Sequence, residues 1–142
     1  YRHIGGINMS AHLEFTNPPA MGPPAAAYTH CVEVKSGRTV YFSGQVALDE
    51  DGELVGPGDM RAQTEQVMKN IKAGLEALGG DLSCIVKRNI YLADISRIQE
   101  VRDGAAGFAT GGPPPASTAV EVSGLFRNEF LIEVDIVAVI PD

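Results

Sequence analysis

Tryptophan is absent from this chain, aromatic residues make up only 6% of it, and cysteine occurs twice, as Cys31 and Cys84, in 142 residues. Neither cysteine stands in a CxxC or Cys/His spacing. This argues against a disulfide framework or a structural zinc and predicts a reduced, cytoplasmic setting with both thiols simply packed. Histidine is equally sparse. His3, His12 and His30 show no metal-site spacing, so no metal and no other cofactor is expected. No apolar run approaches the length of a membrane span, and no membrane partner is expected. Basic residues are also few: eleven lysines and arginines stand against eighteen acidic residues, leaving a net charge of −7, and the cations are scattered. That balance disfavours nucleic acid as a partner.

What is present is a chain with 44% apolar residues, long enough for one domain to bury a core without staples. Tyr1 to Asn8, ahead of Met9, has neither a basic n-region nor an apolar h-region. It is read as an appended or alternative-start segment outside the fold, with 9–142 as the single domain.

A short strand is predicted at Leu13 to Phe15, followed by a stiff loop through Pro18, Pro19, Pro23 and Pro24, which lack amide donors. Thr29 to Lys35 and Thr39 to Gln45 read as two strands joined in a hairpin by Ser36-Gly37-Arg38. Gly44 invites either a bulge or a close approach of backbone to a ligand. Asp59 stands at an N-cap position before Met60, Thr64, Val67, Met68, Ile71, Leu75 and Leu78, whose three- and four-residue spacing predicts a long helix ending at Gly79-Gly80. Ile85 to Leu92 reads as a strand. Asp94 or Ser96 can cap a shorter helix carrying Ile98, Val101 and Phe108, which Gly104 and Gly107 weaken.

Two alternating runs close the chain, Ser117 to Val122 and Phe130 to Val137, with turn residues between them that suggest a hairpin. In that pairing facing residues add to about 252, so even faces even and odd faces odd. Thr118, Val120, Val122, Phe130, Ile132, Val134 and Ile136 then form the core face. Ser117, Ala119, Glu121, Leu131, Glu133, Asp135 and Val137 form a mixed face that is either solvated or meets another subunit. The order β-β-β-α-β-α-β-β predicts an α+β two-layer sandwich, a sheet packed on two helices.

The chain resembles the YjgF/RidA reactive-intermediate (imine) deaminase family, also known as L-PSP endoribonuclease-like, over nearly all of Met9 to Asp142. The resemblance rests on Ala20-Met21-Gly22-Pro23, Ser43-Gly44-Gln45, the helix from Ala62-Gln63-Thr64 to Gly79, Ile85-Val86-Lys87 with Tyr91-Leu92-Ala93-Asp94, Pro115-Ala116, and Ile132-Glu133-Val134. It implies a chorismate-mutase-like homotrimer with a site for a small-molecule metabolite at each subunit interface. It also implies an arginine after Pro-Ala that pairs with the substrate carboxylate, while backbone groups near Ser-Gly-Gln and a glutamate on the last strand support water attack on an imine.

The position after Pro115-Ala116 is Ser117, so the arginine is missing here, and the family's tyrosine and cysteine fall on Pro24 and Ala119. Losing a charge-assisted pair forfeits roughly 1.5–3 kcal/mol per bond, which makes ordinary 2-imino acid deamination doubtful. The resemblance therefore implies Glu133 as the catalytic candidate and Ser43, Gly44, Tyr91, Arg102, Ser117 and Ala119 as substrate-binding candidates, with Arg102 partly replacing the lost cation. The functional readings are a hydrolase of an imine, enamine or related metabolite, a non-catalytic ligand-binding or regulatory trimer, and an endoribonuclease. The acidic charge disfavours the last.

Overall fold

The computed structural model describes residues 2–4, 7–9 and 12–142. In chain order its elements are β1 (Arg2–Ile4), β2 (Ile7–Met9), β3 (Leu13–Thr16), β4 (Cys31–Val34), β5 (Arg38–Tyr41), α1 (Met60–Ala77), β6 (Ile85–Leu92), α2 (Ile98–Ala105), β7 (Ala116–Glu121) and β8 (Ile132–Ile140). From β3 onward this is the expected β-β-β-α-β-α-β-β succession. The strands form two four-stranded sheets, one in the order β1-β2-β3-β4 and the other β5-β8-β6-β7. The protein is thus an α+β fold in which the two helices cover one face of the second sheet. Arg2–Ile4, within the segment read as lying outside the fold, and Ile7–Met9, which crosses its boundary, pair in series with β3.

The ends of α1 follow from their residues. The Asp59 carboxylate accepts from the Ala62 amide at 3.0 Å, satisfying one of the donors left open at a helix start. At the other end Gly79 adopts φ +85°, Gly79 N–H donates to Glu76 O, and Gly80 N–H donates to Leu75 O. These are the paired bonds of a Schellman cap. The stripe Met60, Val67, Ile71 and Leu75 is buried against Ile132, Val134, Ile136, Ala138 and Ile140 of β8. Alternation along β8 places its even residues on the helix side, as predicted.

Gly104 of α2 does more than weaken its helix. A Cβ there would lie 2.6 Å from Arg61 O and 2.8 Å from Thr64 Cβ, so its absence lets α2 approach the α1 backbone. Because backbone cannot yield as a side-chain tip can, Gly104→Ala should destabilise the protein by about 1–3 kcal/mol. Thermal unfolding followed by circular dichroism should show the loss, and an unchanged melting temperature would mean that the helices can separate freely.

Several expectations require correction. The Ser36-Gly37-Arg38 link is not a hairpin: β4 pairs with β3, whereas β5 pairs with β8 in the other sheet. Gly37 has φ +118°, and a Cβ on it would fall 2.7 Å from Val139 Cγ1 and 2.8 Å from Ile140 O. The chain passes closely over β8 there and changes sheets. The terminal runs are not a hairpin either. β6 lies between them, parallel to β7 and antiparallel to β8. Strands are about 4.8 Å apart, so stepping over one needs roughly 10 Å, well within the reach of the connection from Glu121 to Ile132. The turn residues in it permit a tight turn without requiring one.

Inserting β6 inverts the faces of β7. Ser117 is opposite Arg88 and Ala119 opposite Ile90, on the helix side, while Thr118 and Val120 align with Asn89 and Tyr91 on the other side. The expected even-with-even sharing between β7 and β8 is therefore reversed. The mixed face of β8 is also partly covered from within the chain, because Val139 and Val137 pack with Val86 and with Leu13 and Phe15 of β3. Leu131 packs against the helix-side core. The apolar side chains this face leaves exposed are Tyr41 and Val120, at 78% and 41% of full exposure. Of the two thiols only Cys84 is packed; Cys31, on β4, is exposed. Among the described residues no helix is long and apolar enough to cross a membrane.

Candidate functional site

Two groups of candidate residues lie on opposite faces of the β5-β8-β6-β7 sheet. The first is built at the end of β5. Phe42 N–H donates to Ile136 O and Gln45 pairs with Val134, so Ser43 and Gly44 together stand opposite the single residue Asp135. This is a β-bulge, one of the two features anticipated at Gly44. The bulge presses Gly44 against Glu133: a Cβ on the glycine would lie 2.3 Å from Glu133 Oε2 and 2.7 Å from Cδ. Gly44 does not have positive φ, so the need for glycine is one of space. Among the described residues neither the Gly44 amide nor the Glu133 carboxylate has a hydrogen-bond or ion-pair partner. A free donor and a free carboxylate thus lie side by side.

Tyr91 joins this group, since it lies opposite Glu133 across the β6–β8 ladder. Asn89 donates to Asp135 Oδ1 at 2.9 Å in the next pair along that face. A hydrogen bond to the Asp135 carboxylate, with burial and the Asp135 and Glu133 charges behind it, raises the Tyr91 phenol above its ordinary value. Tyr91 is therefore a protonated donor at neutral pH. The Ser43 carbonyl accepts from Gln45 Nε2 at 3.1 Å, which braces the bulge.

The second group lies on the helix side of the sheet around Ser117. Pro114 and Pro115 lead into β7, and their carbonyls accept from Thr29 Oγ1 and Thr29 N–H at 2.5 and 3.2 Å. This pins the entry to the strand against the loop before β4. Arg88 of β6 reaches into the corner so formed. Its Nε donates to Ser117 Oγ at 2.9 Å and its Nη2 to Ala27 O at 2.7 Å. Arg88 is partly buried, and desolvation lowers its pKa, yet among the described residues no carboxylate pairs with it.

Ala119 is exposed two residues further along β7. Arg102 is exposed on α2, with no hydrogen bond or ion pair among the described residues. Glu121, expected on the same face as Glu133, instead accepts from Ile95 N–H at 3.1 Å. The structure therefore brings Gly44, Ser43, Glu133 and Tyr91 together and sets Ser117 and Ala119 apart from them, across the sheet.

Sequence reasoning missed Arg88, although a signal was available. Alternation through Ile85 to Leu92 puts Arg88 on the face of Ile90 and Leu92, and a cation on an apolar face asks for an explanation. Its partner Ser117 could not be found that way, because the β6–β7 pairing is a tertiary fact.

Two helices on a mixed sheet, with polar groups gathered in a bulge at the end of β5, define an α+β protein. The chain belongs to the YjgF/RidA family: the family model described as Endoribonuclease L-PSP matches residues 20–140. Protein DfrA of Myxococcus xanthus is 38% identical over 122 residues, covering 86% of this chain and 88% of the relative. The 2-iminobutanoate/2-iminopropanoate deaminase of Mus musculus is 36% identical over 123 residues, covering 86% and 84% respectively. Among solved structures, the Rid-family protein YyfB from Yersinia pestis, described as of unknown function, superposes with a TM-score of 0.82 at 34% identity. That match covers 91% of this chain and 99% of the other.

Proposed function

We propose that this protein is a cytoplasmic homotrimer that hydrolyses a small imine or enamine at a site completed at each subunit interface. The observation that carries this reading is the unpartnered Glu133 carboxylate packed against Gly44, whose amide is also unpartnered among the described residues. In the reaction Glu133 takes a proton from water as the oxygen attacks the C=N carbon. Glu133 returns that proton to the imine nitrogen while Gly44 N–H binds a polar atom of the substrate and the Tyr91 phenol oxygen, its one O–H given to Asp135, accepts from a substrate N–H. The carbinolamine hydroxyl then passes its proton to the nitrogen as the C–N bond breaks, releasing ammonia and leaving a carbonyl product. The 36%-identical mouse relative named as a 2-iminobutanoate/2-iminopropanoate deaminase supports that reaction class. Position supports an interfacial site. Glu133 and Ser117 are on opposite faces of one sheet, so a ligand of a few carbon atoms reaches both sets only if a second copy supplies one of them.

Generating 2-iminopropanoate in situ and following ammonia release tests the chemistry, and light scattering tests the assembly. Accelerated ammonia release and a mass three times 15.0 kDa are expected. A monomer at micromolar concentration would remove the interfacial site. Ser117, in place of an arginine, favours a second reading, a ligand-binding trimer without turnover. Binding of 2-oxo acids with no ammonia release would select it.

A further inference from the structure

We infer that Arg88 is the cation that receives the carboxylate of an anionic substrate, acting from β6 beside Ser117; this rests on the small-molecule site proposed above and identifies its ligand as a carboxylic acid. Three observations carry it. Arg88 is partly buried on the helix side of the sheet, with no carboxylate paired to it among the described residues of a chain whose net charge is −7. Arg38 and Arg102 also lack an acid partner but are exposed to water, whereas Arg88 is half-buried with its charge unanswered.

Its orientation is also fixed. Nε is held by Ser117 Oγ at 2.9 Å and Nη2 by Ala27 O at 2.7 Å, both neutral acceptors that steer the guanidinium without neutralising it. Of the five N–H donors of an arginine, Nη1 keeps its two and Nη2 keeps one, enough for a carboxylate to accept from both nitrogens. Finally, Ser117 itself is held by the Pro114 and Pro115 carbonyls on Thr29, so the fork stands on rigid supports. Arg102, by contrast, is exposed and has no partner that would orient it.

The probes are pyruvate and its uncharged counterpart pyruvamide, titrated calorimetrically into the 142-residue chain. The parent should bind pyruvate about tenfold or more tightly than pyruvamide. Arg88→Met should abolish that preference, bringing the affinity for pyruvate down to the level of pyruvamide in the same variant. Arg88→Lys should retain part of it, because a point charge remains without the fork. The exchange Arg88→Ser with Ser117→Arg should restore the preference from the neighbouring strand. Should Arg88→Met prove unfolded by circular dichroism, Arg88→Lys and the exchange still decide the matter.

A pyruvate preference that survives every change at Arg88 overturns the inference, as does a parent that does not distinguish the two probes. Loss of the trimer in Arg88→Met with the preference retained would overturn it too, since Arg88 would then serve a neighbouring subunit. The two readings fail separately. Pyruvate binding that depends on Arg88 without ammonia release sinks the hydrolase and leaves this assignment. Ammonia release indifferent to Arg88 does the reverse.

Discussion

Replacing Glu133 by glutamine should lower imine hydrolysis by about 10²–10⁴-fold, the range expected when a proton acceptor is removed, with the melting temperature unchanged within about 2 °C. The carboxylate has no internal partner, so the fold does not depend on its charge. Gly44→Ala supplies the companion measurement. The added Cβ would fall 2.3 Å from Glu133 Oε2, and because that oxygen is the far end of a flexible side chain, the carboxylate swings aside while the backbone stays. Turnover should drop by a similar order with little loss of stability. Since both changes remove one function, the double variant should be no slower than Glu133→Gln alone, which steady-state ammonia release can read. Independent, multiplying losses would show that Gly44 and Glu133 do not form a unit.

A larger effect on stability is expected at Gln63. Its side chain is wholly buried, with Nε2 donating to Gly56 O at 3.1 Å and to Glu129 O at 2.9 Å, while Oε1 accepts from Leu131 N–H at 2.8 Å. Two carbonyls and one amide converge on it, which fixes the orientation of the amide. Gln63→Met keeps the volume and orphans two backbone groups, Glu129 O and the Leu131 amide, while Gly56 O keeps the Asp59 amide at 3.0 Å. At about 1–3 kcal/mol for each unsatisfied group, with some relaxation, a loss of about 2–4 kcal/mol is expected. That corresponds to a fall on the order of 10 °C in melting temperature. The same bonds tie α1 to the segment that enters β8, two residues before Glu133. Turnover at a temperature where the variant is fully folded should therefore fall as well. Calorimetry showing a loss below about 1 kcal/mol would mean that water replaces the amide.

The elements that were legible from the chain alone are those whose signal lies within a single segment. Asp59 and Gly79-Gly80 bound α1 because capping is a matter of local hydrogen bonds and of one positive φ. The alternation in β8 announced which of its residues face the helices. Gly44 announced either a bulge or a close backbone approach, and the hydrogen bonds of Phe42 and Gln45 to β8 select the bulge. Cys31 was misjudged and the packing role of Gly104 went unseen for the opposite reason, because exposure on one strand and contact with another helix are set by neighbours far away in sequence.

Which strands lie side by side was decided by the tertiary structure. The terminal runs carry turn residues between them and would satisfy a hairpin locally, but β6 gains two partners by standing between them, and the connection is long enough to allow it. That choice turned Ser117 away from Glu133, set it beside Arg88, and divided the candidate site between the two faces of a sheet. A segment's residues determine its period and its ends. The partner across a ladder is selected by hydrogen bonds and burial summed over the whole sheet, a comparison that no stretch of sequence makes by itself.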